Sequence, residues 1–212
     1  MEEKIEAFCR YLKNIFPNLD TIKHTFEQCS KYDDNKFLVN CNINTINFDK
    51  LTEWYLNPKP QSADSLSFSQ KYVYLIEFKS GDPTRHERKL EKLIDDVIGK
   101  INDSDITLSK MYENAFENTT DRLHQRFALV VDSKMMGITA ITSTLAALSL
   151  TENPGVNHQE KILFEKVLPE LKQSAKEAGH YDRIDIWYSE FFEDYISNYN
   201  IRSSIGLINP HI

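Results

Sequence analysis

Glu77 and Lys79 end the apolar run YVYLIEFKSGD, residues 72–82. Side chains along a strand alternate with period two, so these charges share a face with Val73 and Leu75. A buried carboxylate or ammonium is costly without a partner. The pair must therefore reach water at a sheet edge, be paired, or surround something charged. Asp64 lies in the preceding run ADSLSFS, with twelve residues between it and Glu77. A tight turn near Gln70 would bring Asp64 close to Glu77. Two carboxylates and the backbone carbonyl of Phe78 make an all-oxygen set suited to a hard divalent ion, Mg²⁺ or Mn²⁺. An ion held there polarises a phosphoryl oxygen and lowers the pKa of bound water. Lys79 would orient that water or neutralise charge building on the phosphate. The chemistry expected is phosphodiester hydrolysis.

Plainer readings compete at each position. Glu77 and Lys79 can form a surface ion pair at a strand end, which contributes little. Asp64 can satisfy turn amides after NPKPQSA. In TRHERKLEK, the basic residues Arg85, Arg88, Lys89 and Lys92 are candidates for contact with a nucleic-acid backbone, beside a helix start that can present amides to phosphate. The alternative is a solvated face with Glu87 and Glu91 as interleaved partners. Tyr72 and Tyr74 read as core packing rather than base-stacking residues.

The elements that must position these groups follow from periodicity. Residues 2–16 predict a helix packed through Ile5, Phe8, Cys9, Leu12, Ile15 and Phe16, ended by Pro17. TIKHTFEQC is ambiguous between helix and strand, and KFLVNCNI reads as a strand. INFDKLTEWYL predicts a short helix capped by Asn47, with Ile46, Leu51, Trp54 and Tyr55 inward. NPKPQS is a loop, and ADSLSFS and KYVYLIEFKS are two strands. Asp82 and Pro83 suit an N-cap and first helical position. Leu90, Leu93, Ile94, Val97, Ile98 and Ile101 then mark the clearest helix. Residues 102–124 read as mixed loop and helix, and RFALVVDS as a buried strand. The apolar segment 135–150 is open between helix and strand and is a candidate for forming a homodimer. NPG at 153–155 is a turn. A helix over 157–178 with a kink at Pro169, a strand at YDRIDIWYS and a helix at EFFEDYISNY complete the chain. This order argues for an α/β fold around a central mixed sheet flanked by helices.

At this point the residues resemble a known pattern. Asp64 followed by Glu77-Phe78-Lys79 is similar to the D…(D/E)-x-K signature of the PD-(D/E)XK nuclease superfamily, with Ala63 where many members carry Pro. The resemblance implies a restriction-endonuclease-like core over about 46–133, built as helix, three strands, helix and strand. An N-terminal helix and a C-terminal helix-strand-helix would be additions within one domain, 1–212. It implies that Asp64, Glu77 and Phe78 bind the metal and that Lys79 is the catalytic lysine. Some members add an acidic residue from the preceding helix. Glu53 is the candidate here, with Asp49 one turn earlier. IEFKSGD, KLEKLIDD and RIDIWYSEFFEDYI are also similar to small bacterial and prophage proteins carrying IEFKNG, which implies a phage or mobile-element setting.

Composition sets the outer bounds. The chain has 212 residues, 41% hydrophobic, with three Cys at no metal-like spacing and six scattered His. No apolar run approaches the roughly 20 residues needed to cross a bilayer. No export signal is visible, and free thiols in a reducing cytoplasm are expected. The net charge of −7 excludes a general polyanion coat but allows a local basic groove. The expectation is a cytoplasmic, metal-dependent nuclease acting on DNA. The alternative is a catalytically inactive, nuclease-like binding protein that engages a protein partner in a phage or host-defence setting.

Overall fold

Leu75 and Leu129 on one side, and Ile76 and Val130 on the other, leave the central strands with no polar face. Such strands need cover on both sides. The computed structural model, which describes residues 2–16, 18–116, 122–137 and 158–201, is an α/β protein with a six-stranded mixed sheet flanked by helices. Its first half runs α1 (Glu2–Ile15), a 3₁₀ turn (Leu19–Ile22), β1 (Lys23–Thr25), α2 (Phe26–Cys29), the hairpin β2 (Lys31–Asp33) and β3 (Lys36–Phe37), β4 (Asn44–Asn47) and α3 (Phe48–Tyr55). It continues through β5 (Ser65–Phe68), β6 (Val73–Lys79), a 3₁₀ turn (Pro83–Arg85), α4 (Glu87–Ala115) and β7 (Gln125–Val131). The last part is α5 (His158–Ile162), a π turn (Leu163–Val167), α6 (Leu168–Ala178), β8 (Tyr181–Tyr188), a 3₁₀ turn (Ser189–Phe191) and α7 (Phe192–Asn198).

The sheet order is β1-β4-β5-β6-β7-β8. Strands β1, β4, β5 and β6 pair antiparallel, and β6, β7 and β8 pair parallel. A parallel pair needs a long crossover, and α4 supplies it between β6 and β7. One face packs Val73, Leu75, Phe127 and Leu129 against Phe8 and Leu12 of α1, Leu51 of α3, and Val97 and Ile101 of α4. The other packs Tyr74, Ile76, Val130 and Trp187 against Phe26, Phe192 and Ile196. No helix of the described residues is long and apolar enough to cross a membrane.

Several expectations need correction. Only Lys36 and Phe37 of KFLVNCNI are strand. The chain beyond gives its carbonyls to α2: Glu27 N–H donates to Cys41 O and Phe26 N–H to Ile43 O. Val39 and Cys41 are buried without a strand partner. Trp54 does not turn inward; it is 56% exposed and lies against Phe16. Asp82 caps a 3₁₀ turn through Thr84 N–H, and α4 starts later, at Glu87. Helix α4 runs on to Ala115, because Ser104, Leu108, Met111 and Tyr112 extend its buried stripe through the polar sequence. Pro169 has no N–H and its ring crowds the carbonyl four residues back. The irregularity it requires is the π turn just before it. Segment 138–157, with most of the apolar stretch and the NPG turn, lies outside the described residues.

Helix α4 also fixes the chain that leads into β5. Gln61 N–H donates to Asp103 Oδ2 at 2.9 Å and Ala63 N–H to Ser104 Oγ at 3.0 Å. Ser62 Oγ donates to Asp49 Oδ1 at 2.5 Å, and Asp64 O accepts from Phe48 N–H at 3.2 Å. Ser104→Ala orphans a buried backbone N–H and is expected to cost about 1–3 kcal/mol. Urea unfolding should show a lower midpoint with an unchanged slope; an unchanged midpoint would show that this anchor carries no weight.

Candidate functional site

The antiparallel register Ser65↔Ile76, continued by one residue, sets Asp64 across from Glu77. Both point to the face covered by α4, as do Leu66 and Leu75 in the same alternation. Asp64 Oδ2 accepts the Phe78 N–H at 2.7 Å, which locks the carboxylate onto the β6 backbone. Lys79 Nζ stands 3.0 Å from Glu77 Oε1. The structure therefore brings Asp64, Glu77, Phe78 and Lys79 together in one pocket of about 210 Å³ at the end of β6. Cys29, Ser30, Lys31, Tyr32 and Leu38, from the segment around the β2–β3 hairpin, form its other wall.

Glu77 is not half of a surface ion pair. It is 1% exposed, and Lys100 of α4 completes its surroundings. The Lys100 ammonium donates to both Glu77 oxygens at 2.7 Å and to Asp64 Oδ1 at 3.4 Å. It thus sits between the two carboxylates. Burial, with repulsion from Asp64, pushes the Glu77 carboxyl up to about 7, held back by Lys100 and Lys79. Burial likewise raises Asp64, against Lys100 and the Phe78 N–H. Burial opposes the charge on Lys100, but Glu77 and Asp64 outweigh it and its pKa is raised. Lys100 is accordingly the fixed cation of the cluster, and Glu77 is the group that titrates. Burial and the Asp64 charge also push the Cys29 thiol up to about 12, so this pocket cysteine is protonated at neutral pH and a poor nucleophile.

Sequence reasoning missed Lys100. Its signal was present: Leu93, Val97, Lys100 and Ser104 follow one another at helical spacing of four, three and four, so a lysine interrupts the buried stripe. The other expected residues lie elsewhere. Glu53 is exposed on α3 and does not line the pocket. Asp49 is occupied by Ser62 and by Lys59, 3.1 Å away. Arg85 is held by Asp82 at 3.2 Å. Arg88, Lys89 and Lys92 are exposed on the first turns of α4 and outside the pocket. Tyr74 is core, and Tyr72 lies under the Arg126 guanidinium, 3.7 Å from its ring centre.

The residues can be tested as an ion site. No group of three or more His, Cys, Asp or Glu suited to a metal occurs among the described residues. An ion at this place would have Asp64, Glu77 and the Phe78 carbonyl as protein donors, with water completing the shell as Mg²⁺ prefers. Glu77, buried, and Asp64, about a quarter exposed, both face the Lys100 ammonium, an arrangement that is compatible with that description.

The Glu77 shift also fixes a pH dependence. Its pKa is raised on folding, so its stabilising contribution is complete below the unfolded value of about 4.3 and is lost as pH rises through about 7. Between pH 5 and 8 the wild type should lose stability relative to Glu77→Gln, a comparison in which the histidine contributions cancel. Parallel pH profiles of the two proteins in urea would count against the buried cluster. Comparison of the chain with protein-family models, curated proteins and solved structures finds no match.

Proposed function

We propose that this protein is a divalent-metal-dependent nuclease that hydrolyses phosphodiester bonds in DNA. The observation that carries the reading is the meeting of Asp64, Glu77 and Lys79 in one pocket, with Glu77 buried and Asp64 partly buried against the Lys100 ammonium. The sheet supports it. The antiparallel trio β4, β5 and β6, then α4 and the parallel β7, follows the strand pattern that a restriction-endonuclease-like core implies, with the acidic residues beside its second and third strands.

In this reading Asp64 Oδ1, a Glu77 oxygen and the Phe78 carbonyl hold Mg²⁺ or Mn²⁺. The bound ion supplies a Lewis acid for a phosphoryl oxygen and a lower pKa for water. The Phe78 N–H keeps Asp64 from turning away. Lys79, about a quarter exposed, carries its charge from Glu77 toward solvent, where a phosphate oxygen would arrive. Arg88, Lys89 and Lys92 stand on the helix that follows and are available to the phosphate backbone. Glu53 has no part in this set.

One observation favours a second reading, an inactive nuclease-like protein that binds a protein partner. A groove of about 860 Å³ shares Tyr32 and Leu38 with the pocket. Five carboxylates line it, Glu27, Asp132, Glu190, Glu193 and Asp194, against only two lysines. Such a surface repels a polyanion and suits a basic partner.

The test is cleavage of single- and double-stranded DNA in millimolar Mn²⁺ or Mg²⁺. Asp64→Asn, Glu77→Ala and Lys79→Ala should each lower the rate by about 100-fold or more, with circular dichroism confirming a folded protein. Activity retained in any folded variant, or no activity in wild type on either substrate, sinks the enzyme reading. In the latter case, capture of a basic protein that Glu190→Lys and Glu193→Lys release would establish the second.

A further inference from the structure

With both carboxylates ionised, Asp64 and Glu77 supply two negative charges and Lys79 and Lys100 two positive ones, so the pairing around the pocket is closed. A divalent ion added to this set would leave it with an excess of positive charge in a buried place. One cation has to leave, and the geometry says which. Lys79 touches Glu77 alone, from the solvent side. Lys100 Nζ occupies the point within reach of both carboxylates, 2.7 Å from Glu77 and 3.4 Å from Asp64. That is where an ion bridging Asp64 and Glu77 would have to sit.

We infer that Lys100 is an intramolecular competitor for the divalent ion: its ammonium closes the carboxylate pair in the free protein and is displaced when the ion binds. The inference rests on the metal-site reading and gives that site a regulatory residue. Structure supports the exchange. The Lys100 backbone is fixed within α4, but its four-carbon stem is flexible. The adjoining cavity of about 210 Å³ offers room for the ammonium to move into. The exchange conserves hydrogen-bonding capacity for the carboxylates, since the ion takes over both acceptors. It also makes wild-type metal affinity weak, because every binding event must break the Lys100 contacts first.

The experiment is a calorimetric titration of Mn²⁺ into wild type, Lys100→Met and Lys100→Arg, with Glu77→Gln/Lys100→Met locating the site. Lys100→Met removes the competing charge and should bind about tenfold or more tightly than wild type. Lys100→Arg keeps the charge and should show no such gain, and the double variant should lose binding. Equal affinity in wild type and Lys100→Met overturns the competitor role while leaving the metal site intact. No binding in either protein overturns the metal-site reading itself, and the inference with it. A second measurement needs no variant. Amine acylation of the wild-type protein, read by mass spectrometry, should label Lys100 faster in saturating Mn²⁺ than without it. An unchanged rate at Lys100, in a protein that calorimetry shows to bind Mn²⁺, overturns the displacement.

Discussion

A desolvated carboxylate at Glu77 is the constraint around which this fold is arranged. It sits near the end of β6, a strand buried at every residue but its last, on a face otherwise filled by Val73, Leu75 and Leu129. Leaving it unpaired would be expensive, and Asp64 next to it makes matters worse. Cations must therefore be brought to it. Helix α4 brings one, Lys100, and the strand itself bends a second, Lys79, back from its open end. Part of the length of α4 serves the same demand. One stretch of the helix delivers Lys100, and the next turn holds residues 61–63 through Asp103 and Ser104, which fixes the approach of Asp64. A helix ending at the last of its clear apolar residues, Ile101, would leave that strand lead-in without support.

The position of the cluster within the sheet bears on what can reach it. Three parallel strands, β6, β7 and β8, end on the side where the pocket opens, and the loops after them carry Ser80, Asp132 and Ser189. Open α/β sheets characteristically bind ligands beyond the carboxyl ends of their strands. Here the approach is electrostatically divided. The first turns of α4 expose Arg88, Lys89 and Lys92, whereas the groove beside the β2–β3 hairpin is acidic. On the nuclease reading, a polyanion would be repelled by the groove and would meet the first turns of α4 instead, where Glu87 and Glu91 interleave with the basic residues. The two readings of function thus concern two surfaces that meet at one pocket, not two views of the same residues.

Much of this was legible in the sequence, and the exceptions share a cause. Period-two alternation placed Glu77 and Lys79 on one face, and the turn near Gln70 placed Asp64 opposite. Both depend on local geometry, and both hold in the structure. The Asn47 cap, the strand β7 and the terminal helix α7 are local in the same sense. What failed was decided by distant partners. Residues 38–43 look like a strand because Val39 and Cys41 alternate inward, yet their backbone is claimed by α2. The polar run after Asn102 stays helical in part because Ser104 Oγ and the Asp105 carboxylate accept hydrogen bonds from across the fold, from Ala63 N–H and His180 Nδ1. Lys100 escaped notice because a lysine among apolar positions is ordinarily read as a solvated residue that snorkels outward. Its true role needs the sheet face opposite to be known.

The internal ion pairing of these four residues also distinguishes the cluster from a structural metal centre. Where a metal supplies the folding energy, the ligands are incompatible with a folded protein lacking it. Here Lys79 and Lys100 already satisfy Asp64 and Glu77, so the fold does not depend on an ion to hold the β5–β6 end together. Any ion bound there must be exchangeable, because it competes with groups covalently attached to the chain at high local concentration. Exchangeable, weakly held ions suit catalysis that passes charge to a phosphate, and they are poorly suited to scaffolding. On the proposed reading, the same internal cations would let the protein fold first and take up an ion afterwards.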